Sequence, residues 1–323
     1  MKAVFLDFAS LGRDISAQPL ADSVESLTVF DASDTQQLLA RSADCDAVFT
    51  NKGRFSADVI AALPQLKYIG LTATGSDGVD LVAARAANIA VTNITAYCTQ
   101  SVAQHVFATL LSLTHKLASY QQDVRDGRWQ SQANFCLLDH PIRELSGLTL
   151  GIIGYGELGK AVAKLGKAFG MTIRIAARSP DDARPGRVSL EQLLATADVV
   201  SLHCPLNADT RHLIDADALA QMKSDAILIN TARGALVDPR ALADTLRARG
   251  IAGAAIDVLT EEPPVNGDPL LADDLGNLIL TPHIAWAARE ARQRAVDQAA
   301  QNMLEFRQGN TRNRVELDSR EGK

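Results

Sequence analysis

Short apolar runs alternate with longer amphipathic stretches along the whole chain. Near the N-terminus, the runs "KAVFLDF", "DAVFT", "LKYIGL" and "IAVTN" have the length and composition of buried β-strands. Residues 56–63 and 79–87, which lie between these runs, have the apolar spacing of short helices. Because strands that alternate with helices form parallel sheets with helices on their faces, the pattern predicts an α/β fold.

A second series of strands and helices begins at "LTLGIIG" (Leu148–Gly154). It continues through "TIRIA", "ADVVSL", "DAILIN", "IAGAAID" and "LGNLIL". Nearly continuous apolar runs are typical of a parallel sheet that is covered on both faces. Between the two series, Thr99–Asp126 carries apolar residues at helical spacing, which predicts one long helix with a single apolar stripe.

The end of the chain is expected to return to the first series. An amphipathic stretch, Glu290–Arg307, follows the last predicted strand, and the tail from Gly309 onward is polar and is expected to bury little. The sequence therefore predicts two Rossmann-like domains with parallel sheets, the N-terminal one completed by the C-terminal helix. We expect residues 1–98 and 290–323 to form the first domain and residues 99–289 to form the second.

Composition and charge exclude several classes of protein. The chain has 323 residues, of which 47% are hydrophobic and 22% are charged, and its formal net charge is −6. A nucleic-acid partner is not expected, because proteins that bind nucleic acids usually present a basic face. A membrane partner is not expected either, because no uninterrupted run reaches the roughly 18 apolar residues of a spanning helix.

The N-terminus and the cysteines favour a cytoplasmic location. The first apolar run meets Asp7 after only a few residues, whereas a secretory signal needs a longer apolar core. The four cysteines are widely spaced and form neither a CxxC pair nor a disulfide framework. We therefore expect reduced core cysteines, no metal site and a cytoplasmic protein.

The stretch "GIIGYGELG" carries a dinucleotide-binding motif. Gly154, Gly156 and Gly159 form a GxGxxG pattern between a predicted strand and a predicted helix, which is the context that gives this motif its meaning. The first glycine permits a tight turn, the second lets a pyrophosphate approach the backbone, and the third lets helix and strand pack closely. The phosphates are then expected at the N-terminus of the helix, where free N–H groups favour anions.

The strand after this motif lacks the acid that usually holds the ribose of NAD. That acid is expected about 20 residues after the motif begins, but the chain has Ala177, Arg178 and Ser179 there and no acid before Asp181. A guanidinium group and a hydroxyl can bind a 2′-phosphate, which a carboxylate would repel. The sequence therefore predicts that NADP(H) is preferred, with NAD(H) as the alternative cofactor.

Three polar groups follow predicted strands of the second series. Arg233 follows "ILINTA", Glu262 lies shortly after "AAID", and His283 follows "LILTP". The carboxyl ends of strands are where open α/β sheets bind ligands. Reduction of a 2-oxo acid needs a cation for the carboxylate, which Arg233 can supply, and a proton donor, which His283 can supply. Glu262 or its neighbour Glu261 can hold the imidazole.

With these motifs in hand, the chain resembles the D-isomer-specific 2-hydroxyacid dehydrogenases. The likeness covers nearly the whole chain, through GxGxxG, "TARG", an acid directly before Pro263, and "PH" in order and spacing. It implies Arg233 for substrate binding, His283 as the acid/base and Glu262 as its partner. It also implies a flavodoxin-like substrate-binding first domain, a dinucleotide-binding second domain and a homodimer.

Within the family, "YCTQSVAQHVFATLL" and "EEPPVNGDPLL" are most similar to the glycerate dehydrogenase and hydroxypyruvate reductase group. This resemblance implies that the first domain contacts the substrate through Asn51, Lys52, Thr74, Gly75 and Ser76. Trp286 is expected either to wall the pocket or to pack at a helix N-terminus. Further cofactor contacts are implied for Thr99, Ala103, Glu157, Leu158, Cys204, Pro205, Thr231, Ala232 and Asp257. The carboxylate of Glu157 departs from the family pattern, because it would repel a nearby phosphate unless it points away.

The resulting hypothesis is NADPH-dependent reduction of hydroxypyruvate or glyoxylate to the D-2-hydroxy acid. One alternative is a dehydrogenase for a different substrate. This could be an NAD-dependent enzyme for another 2-hydroxy acid, such as D-lactate, or an enzyme for formate or phosphite, whose dehydrogenases share the scaffold. The polar pair Asn51 and Lys52, where D-lactate enzymes tend to have an aromatic residue, favours a small hydroxylated acid. The other alternative is a dinucleotide-sensing regulatory protein, because transcriptional corepressors share this fold.

Overall fold

The computed structural model describes residues 1–179, 182 and 184–317. The chain forms two compact units, one made of Met1–Cys98 with Ala287–Lys323 and one made of Thr99–Trp286. The strands are β1 (Lys2–Phe5), β2 (Ser26–Val29), β3 (Ala47–Thr50), β4 (Tyr68–Leu71), β5 (Ala90–Thr92), β6 (Thr149–Ile153), β7 (Thr172–Ala176), β8 (Arg187–Val188), β9 (Val199–Leu202), β10 (Ile227–Asn230), β11 (Gly253–Ile256) and β12 (Leu278–Leu280). The α-helices are α1 (Gln18–Ser23), α2 (Thr35–Ser42), α3 (Ala57–Ala61), α4 (Leu81–Ala86), α5 (Thr99–His115), α6 (Leu117–Arg125), α7 (Glu157–Ala168), α8 (Leu190–Thr196), α9 (Ala216–Gln221), α10 (Pro239–Arg247) and α11 (Arg289–Arg307).

The first unit is a parallel sheet in the order β2-β1-β3-β4-β5. Strands β3 and β4 are buried along their whole length, as their apolar sequences predict. One face carries an aromatic cluster in which the ring of Tyr68 lies 5.9 Å from Phe49 and 5.0 Å from Phe306 of α11. Helix α11 therefore packs on the N-terminal sheet, and the prediction that the C-terminal helix completes this sheet is confirmed.

The second unit is a longer parallel sheet in the order β12-β11-β10-β9-β6-β7-β8. The chain begins in the middle of this sheet at β6, moves outward through β7 and β8, and then returns to build β9 to β12 on the other side. Such a reversal of strand order creates a crevice at the carboxyl ends of the strands, where α/β sheets bind ligands. The predicted α/β architecture with two parallel sheets is confirmed.

The prediction of one long helix over Thr99–Asp126 is wrong. The backbone of Lys116 takes a left-handed conformation with φ of 52°, and this residue separates α5 from α6. A left-handed residue breaks the hydrogen-bond ladder of an α-helix. The apolar spacing continues across the break, so the pattern alone gave no sign of it.

Two strands have no counterpart in the predicted pattern. Strand β2 lies at the edge of the first sheet and is largely exposed, so it lacks the buried apolar run by which strands were found. Strand β8 comprises only Arg187 and Val188 beside β7. Short edge strands bury little and leave a weak signal in a sequence.

The polar tail buries more than expected. Val315 donates its N–H to the carbonyl of Val91 at 2.9 Å, and the carboxylate of Glu316 accepts from the N–H of Val91 at 2.9 Å. Glu316 is 1% exposed and is also paired with Arg314, whose Nε lies 2.5 Å from it. The tail therefore caps the edge of β5 through polar contacts that hydropathy does not register.

We expect Glu316→Ala to lower the free energy of unfolding by about 2–3 kcal/mol, because it leaves a buried N–H and a guanidinium group without their acceptor. Urea unfolding, followed by far-UV circular dichroism, measures this change. Glu25→Ala removes a carboxylate whose side chain is 84% exposed and serves as the control. A loss below about 0.5 kcal/mol for Glu316→Ala, the size of an ordinary surface change, would contradict this account of the tail.

Candidate active site

The catalytic candidates lie at the carboxyl ends of three neighbouring strands. Arg233 follows β10, Glu262 lies in the loop after β11, and His283 follows β12. Because these strands are adjacent in the sheet, their following loops meet at one edge. The structure thus brings into one region side chains that are up to 50 residues apart in sequence.

Glu262 and His283 form a close ion pair. Nδ1 of His283 lies 2.6 Å from Oε2 of Glu262, and both side chains are 35% exposed. The other carboxylate oxygen of Glu262 accepts from the N–H of Leu259 at 2.8 Å, which fixes its orientation. Glu261 instead accepts from the side-chain amide of Asn266 at 2.8 Å. Of the two candidate acids, the structure therefore pairs Glu262 with the imidazole.

Arg233 is exposed and is carried by a tightly held turn. The side chain of Asn230, fully buried at the end of β10, donates to the carbonyl of Arg233 at 2.9 Å and accepts from the N–H of Ala232 at 3.0 Å. A Cβ atom on Gly234 would lie 2.0 Å from the carbonyl carbon of Leu259, so the turn presses directly on the loop that carries Glu262. Asn230 is a positioning residue that the sequence analysis missed, although a polar residue that ends an apolar strand was its signal.

Asp257 is buried at the end of β11 and organises the loop that carries His283. Its carboxylate accepts from the hydroxyl of Thr281 at 2.5 Å and from the N–H groups of Ile284 and Ala285 at 2.9 and 2.8 Å. His283 donates its own N–H to the carbonyl of Asp257 at 2.8 Å. The cofactor contact expected for Asp257 from the sequence stays a prediction, and what the structure shows is that Asp257 holds this loop.

The glycine-rich turn has the shape that a dinucleotide needs. Gly154 has φ of +95°, and a Cβ atom there would lie 2.4 Å from the backbone of Cys204. A Cβ atom on Gly159 would lie 2.2 Å from the carbonyl oxygen of Gly154, whereas Gly156 has open space around it at the start of α7. The turn therefore leaves a cradle in front of a helix N-terminus that suits a pyrophosphate.

Two buried polar atoms near this turn have no hydrogen-bond partner among the described residues. They are the hydroxyl oxygen of Thr231 and Nδ1 of His203. Buried polar groups are usually satisfied, so orphaned ones call for a ligand or water. Together with the glycine cradle, they show that the residues present fit a nicotinamide dinucleotide, which supplies or accepts hydride when it is bound.

The carboxylate of Glu157, the first residue of α7, is hydrogen-bonded to Thr99. The hydroxyl of Thr99, at the start of α5, donates to Oε1 of Glu157 at 2.5 Å. This hydrogen bond holds the exposed carboxylate toward α5. Ala103, one turn further along α5, is 4% exposed and packs in the core of the unit with Val106 and Phe107.

Among the described residues, Asp182 brings a carboxylate to the end of β7. The carboxylate of Asp182 accepts from the backbone N–H of Arg178 at 2.8 Å and from two guanidinium nitrogens of Arg184 at 2.6 and 2.5 Å. Arg184 and then the N–H of Arg178 hold the pKa of Asp182 well below its usual range. Asp181, the next acid in the sequence after Arg178, lies outside the described residues.

The side chains of Arg178 and Ser179, the expected partners of a 2′-phosphate, are exposed. The guanidinium of Arg187 lies 5.1 Å from the ring centre of Tyr155.

The remaining expected cofactor contacts lie around the same turn. Leu158 is in the first turn of α7, and Ala177 donates its N–H to Val188 at 2.7 Å. Cys204 and Pro205 follow β9, and burial raises the pKa of the Cys204 thiol, which therefore stays protonated.

Among the described residues, no group of three or more His, Cys, Asp or Glu side chains could hold a metal ion. None of the described helices has the length and apolar character to cross a membrane.

In the first unit, Asp7 organises the loop expected to face the substrate. Its carboxylate accepts from the N–H groups of Asn51 and Lys52 at 2.9 and 2.7 Å and from the hydroxyl of Thr50 at 3.1 Å. The sequence analysis missed Asp7, although an acid directly after a buried strand marked it. The loop of Thr74, Gly75 and Ser76 follows β4, and Asn93 donates its side-chain amide to the carbonyl of Thr74 at 2.7 Å.

Trp286 is tied to the catalytic loop. Its indole Nε1 donates to the carbonyl of His283 at 2.8 Å. This contact places Trp286 beside His283, a few residues before α11 begins at Arg289. The indole therefore supports the loop that carries the imidazole.

Comparisons with known proteins identify the family. The family model for the NAD-binding domain of the D-isomer specific 2-hydroxyacid dehydrogenases matches residues 107–285, more than half of the chain. A glycerate dehydrogenase from Methylorubrum extorquens is 42% identical over 315 residues, which cover 98% of this chain and 99% of that protein. A hydroxypyruvate reductase from Blautia hydrogenotrophica is 37% identical, with 88% of each chain covered. The crystal structure of the TT0316 protein from Thermus thermophilus matches with a TM-score of 0.85 and 37% identity, covering 98% of this chain and all of that one.

The chain therefore belongs to the D-isomer-specific 2-hydroxyacid dehydrogenase family, and the resemblance found in its motifs is confirmed. Its second unit contains the NAD-binding domain of that family. The enzyme class follows, namely an oxidoreductase that acts on a small 2-oxo or 2-hydroxy acid.

Desolvation lowers the pKa of His203 to about 4, so the folded protein holds this imidazole neutral. The unfolded chain binds a proton at this residue below pH of about 6.5, and the folded protein does not until about pH 4. Stability should therefore fall as pH decreases through this window. We expect His203→Gln, which keeps an amide near Ser201, to reduce the loss of unfolding free energy between pH 7 and 4.5 by about 2–3 kcal/mol.

Urea unfolding at the two pH values measures this effect. His115→Gln, which changes an exposed histidine at the end of α5, is the matched control and should retain the full loss. An equal loss in His203→Gln and in the unsubstituted protein would show that His203 does not carry this pH dependence.

Proposed function

We propose that the protein catalyses the NADPH-dependent reduction of hydroxypyruvate or glyoxylate to the corresponding 2-hydroxy acid, with D stereochemistry for glycerate. The observation that carries the proposal is the Glu262–His283 ion pair, which lies at the same edge of the sheet as Arg233. The names of the glycerate dehydrogenase and hydroxypyruvate reductase that the chain resembles support the choice of substrate.

The ion pair leaves one ring nitrogen of His283 for the substrate. Because Nδ1 is engaged by Glu262, Nε2 is the atom that can donate a proton to the ketone oxygen of the substrate. The anionic carboxylate stabilises the imidazolium, which must be present before reduction begins. In the oxidation direction, the neutral imidazole accepts the proton from the hydroxyl group.

Arg233 binds the carboxylate of the substrate in this proposal. Its guanidinium has a planar array of donors that matches a carboxylate, and its Nη1 donates to the carbonyl of Ala232 at 2.7 Å. This anchor lies in the turn that Asn230 fixes and that packs against the Glu262 loop. The loop of Asn51 and Lys52 and the loop of Thr74, Gly75 and Ser76 supply polar contacts to the substrate from the first unit. Trp286 supports the catalytic loop.

The cofactor preference rests on the charges that follow β7. Asp182 would repel a 2′-phosphate, but the guanidinium of Arg184 neutralises its carboxylate. Arg178 and Ser179 are exposed beside it and are the proposed partners of the 2′-phosphate. Thr231, Ala232 and Asp257 are the proposed contacts on the nicotinamide side of the dinucleotide.

We further propose a homodimer. The segment after α6 exposes several large apolar side chains: Trp129, Phe135, Leu138 and Ile142 are 51%, 90%, 80% and 53% exposed. Arg128 holds this segment in shape through Asp123 and Asp139, at 2.5 and 2.7 Å. Apolar groups that are both exposed and fixed in place are typical of a surface that a partner covers, and a second copy of the chain is the partner that family membership favours.

Glu262→Gln should lower kcat/KM for hydroxypyruvate about 100-fold, because the imidazolium loses its charged partner. Steady-state rates measure this effect. Glu261→Gln, whose carboxylate contacts Asn266, is the matched control and should retain full activity. Equal effects of the two substitutions would contradict the assignment of Glu262.

Arg178→Ala should lower kcat/KM for NADPH about 10- to 100-fold and leave that for NADH nearly unchanged, because the loss is specific to the 2′-phosphate. Initial rates with each cofactor in parallel provide the test. Lys167→Ala removes an exposed cation from the other end of α7 and controls for net charge. If the unsubstituted enzyme prefers NADH, the proposed cofactor preference is wrong, although the proposed reaction is not.

A further inference from the structure

The catalytic histidine has an unusual backbone conformation. His283 has φ of 55°, in the left-handed region that a residue with a side chain rarely adopts. Such a conformation persists only where its surroundings enforce it. The position of the imidazole therefore depends on whatever holds the two ends of the segment Thr281–Ala285, which we call the histidine loop.

Helix α5 contacts both ends of the histidine loop. The hydroxyl of Ser101 donates to the carbonyl of Ala285 at 2.6 Å. One helical turn further along, Nε2 of His105 lies 3.2 Å from the hydroxyl oxygen of Thr281. Side chains four residues apart lie on the same face of a helix, so α5 presents a polar pair to the loop. The side chain of His105 is only 16% exposed, and its role is not accounted for by the reaction described above.

The direction of each hydrogen bond follows from counting protons. The hydroxyl of Thr281 has one proton, and its 2.5 Å contact with Oδ1 of Asp257 uses that proton, because a carboxylate can only accept. The contact between Thr281 and His105 therefore needs a donor on the histidine, so Nε2 of His105 carries a proton. A chain of donors runs from His105 through Thr281 to Asp257, and Nε2 of His105 also lies 3.7 Å from Oδ1 of Asp257 itself. Asp257 in turn holds the N–H groups of Ile284 and Ala285.

We propose that His105 is a positioning residue for the reduction of the 2-oxo acid. It acts from α5 through Thr281 and Asp257 on the left-handed backbone of His283, and it contacts neither substrate nor cofactor. The effect on turnover rests on the proposed role of His283 as the proton donor. The effect on the geometry of the histidine loop does not depend on that role.

Three substitutions test the proposal by kinetics. His105→Leu removes the donor and should lower kcat about fivefold to tenfold, which corresponds to one hydrogen bond, with little change in KM for the dinucleotide. His105→Gln places an amide N–H near the position of Nε2 and should restore most of the rate. Thr281→Val removes the hydroxyl with little change of shape and should lower kcat by itself. The double variant His105→Leu/Thr281→Val should lose less activity than the product of the two single losses, because both substitutions break the same chain.

His115→Leu is the control, because His115 is an exposed histidine on the same helix. Full activity of His105→Leu would overturn the proposal. So would equal losses in His105→Leu and His105→Gln, or losses that multiply in the double variant. A fall in dinucleotide affinity that parallels the fall in kcat would show a general structural defect, and it would also overturn the positioning role.

Nuclear magnetic resonance tests the geometry without activity. The chain has six histidines, so ¹⁵N-histidine labelling gives a spectrum that single substitutions can assign. The nitrogen shifts of His105 should show a protonated Nε2, and the ring signals of His283 should move in His105→Leu but not in His115→Leu. If the enzyme has no activity on 2-oxo acids and these shifts are still seen, the proposed function fails, and the effect of His105 on the geometry of the histidine loop stands. If the His283 signals do not move, the positioning role fails.

Discussion

Asp257 directly follows β11 and is buried, and its carboxylate is surrounded by hydrogen-bond donors. It accepts hydrogen bonds from Thr281, Ile284 and Ala285, and its own carbonyl receives the N–H of His283. Burying a carboxylate costs several kcal/mol unless such donors surround it. The same hydrogen bonds force the chain around this carboxylate and hold His283 in the left-handed region. The backbone geometry at His283 thus follows from the hydrogen bonds that one buried carboxylate requires.

The rest of the site is arranged by packing of one loop against another. Gly234 lets the turn that carries Arg233 touch the backbone of Leu259, and the N–H of Leu259 in turn fixes Glu262. A side chain at position 234 would push the turn that carries Arg233 away from the loop that carries Glu262. The parallel sheet beneath supplies the rigid base for these loops, because its buried strands cannot shift without exposing apolar surface.

Charge around the dinucleotide turn is controlled by local pairing. Glu157 accepts a hydrogen bond from Thr99, which orients its carboxylate, and Asp182 is paired with the guanidinium of Arg184, which offsets its charge toward a phosphate group. A count of charged residues near the motif would have included both acids as repulsive. The partner of Asp182 is two residues away in the sequence, whereas the partner of Glu157 is 58 residues away. Only the packing of α5 against α7 brings Thr99 to Glu157.

The sequence by itself determined the parallel α/β architecture and the dinucleotide turn, and it predicted Arg233, Glu262 and His283 as the candidate site residues. It could do so because long apolar runs and short motifs act locally, and the end of a strand is where chemistry is placed in such sheets. It could not locate the break at Lys116, across which the apolar spacing continues, or the edge strand β2, which is largely exposed. It could not locate the buried Glu316 either, because its burial depends on a contact with the distant Val91.

Only the tertiary structure showed that Glu262, which the family resemblance had favoured over Glu261, meets His283, and only it revealed the contacts of Asp7, Asn230 and His105. These contacts depend on which donor meets which acceptor across the fold. A one-dimensional pattern records the presence of polar groups, whereas a hydrogen bond depends on their separation within a few tenths of an ångström.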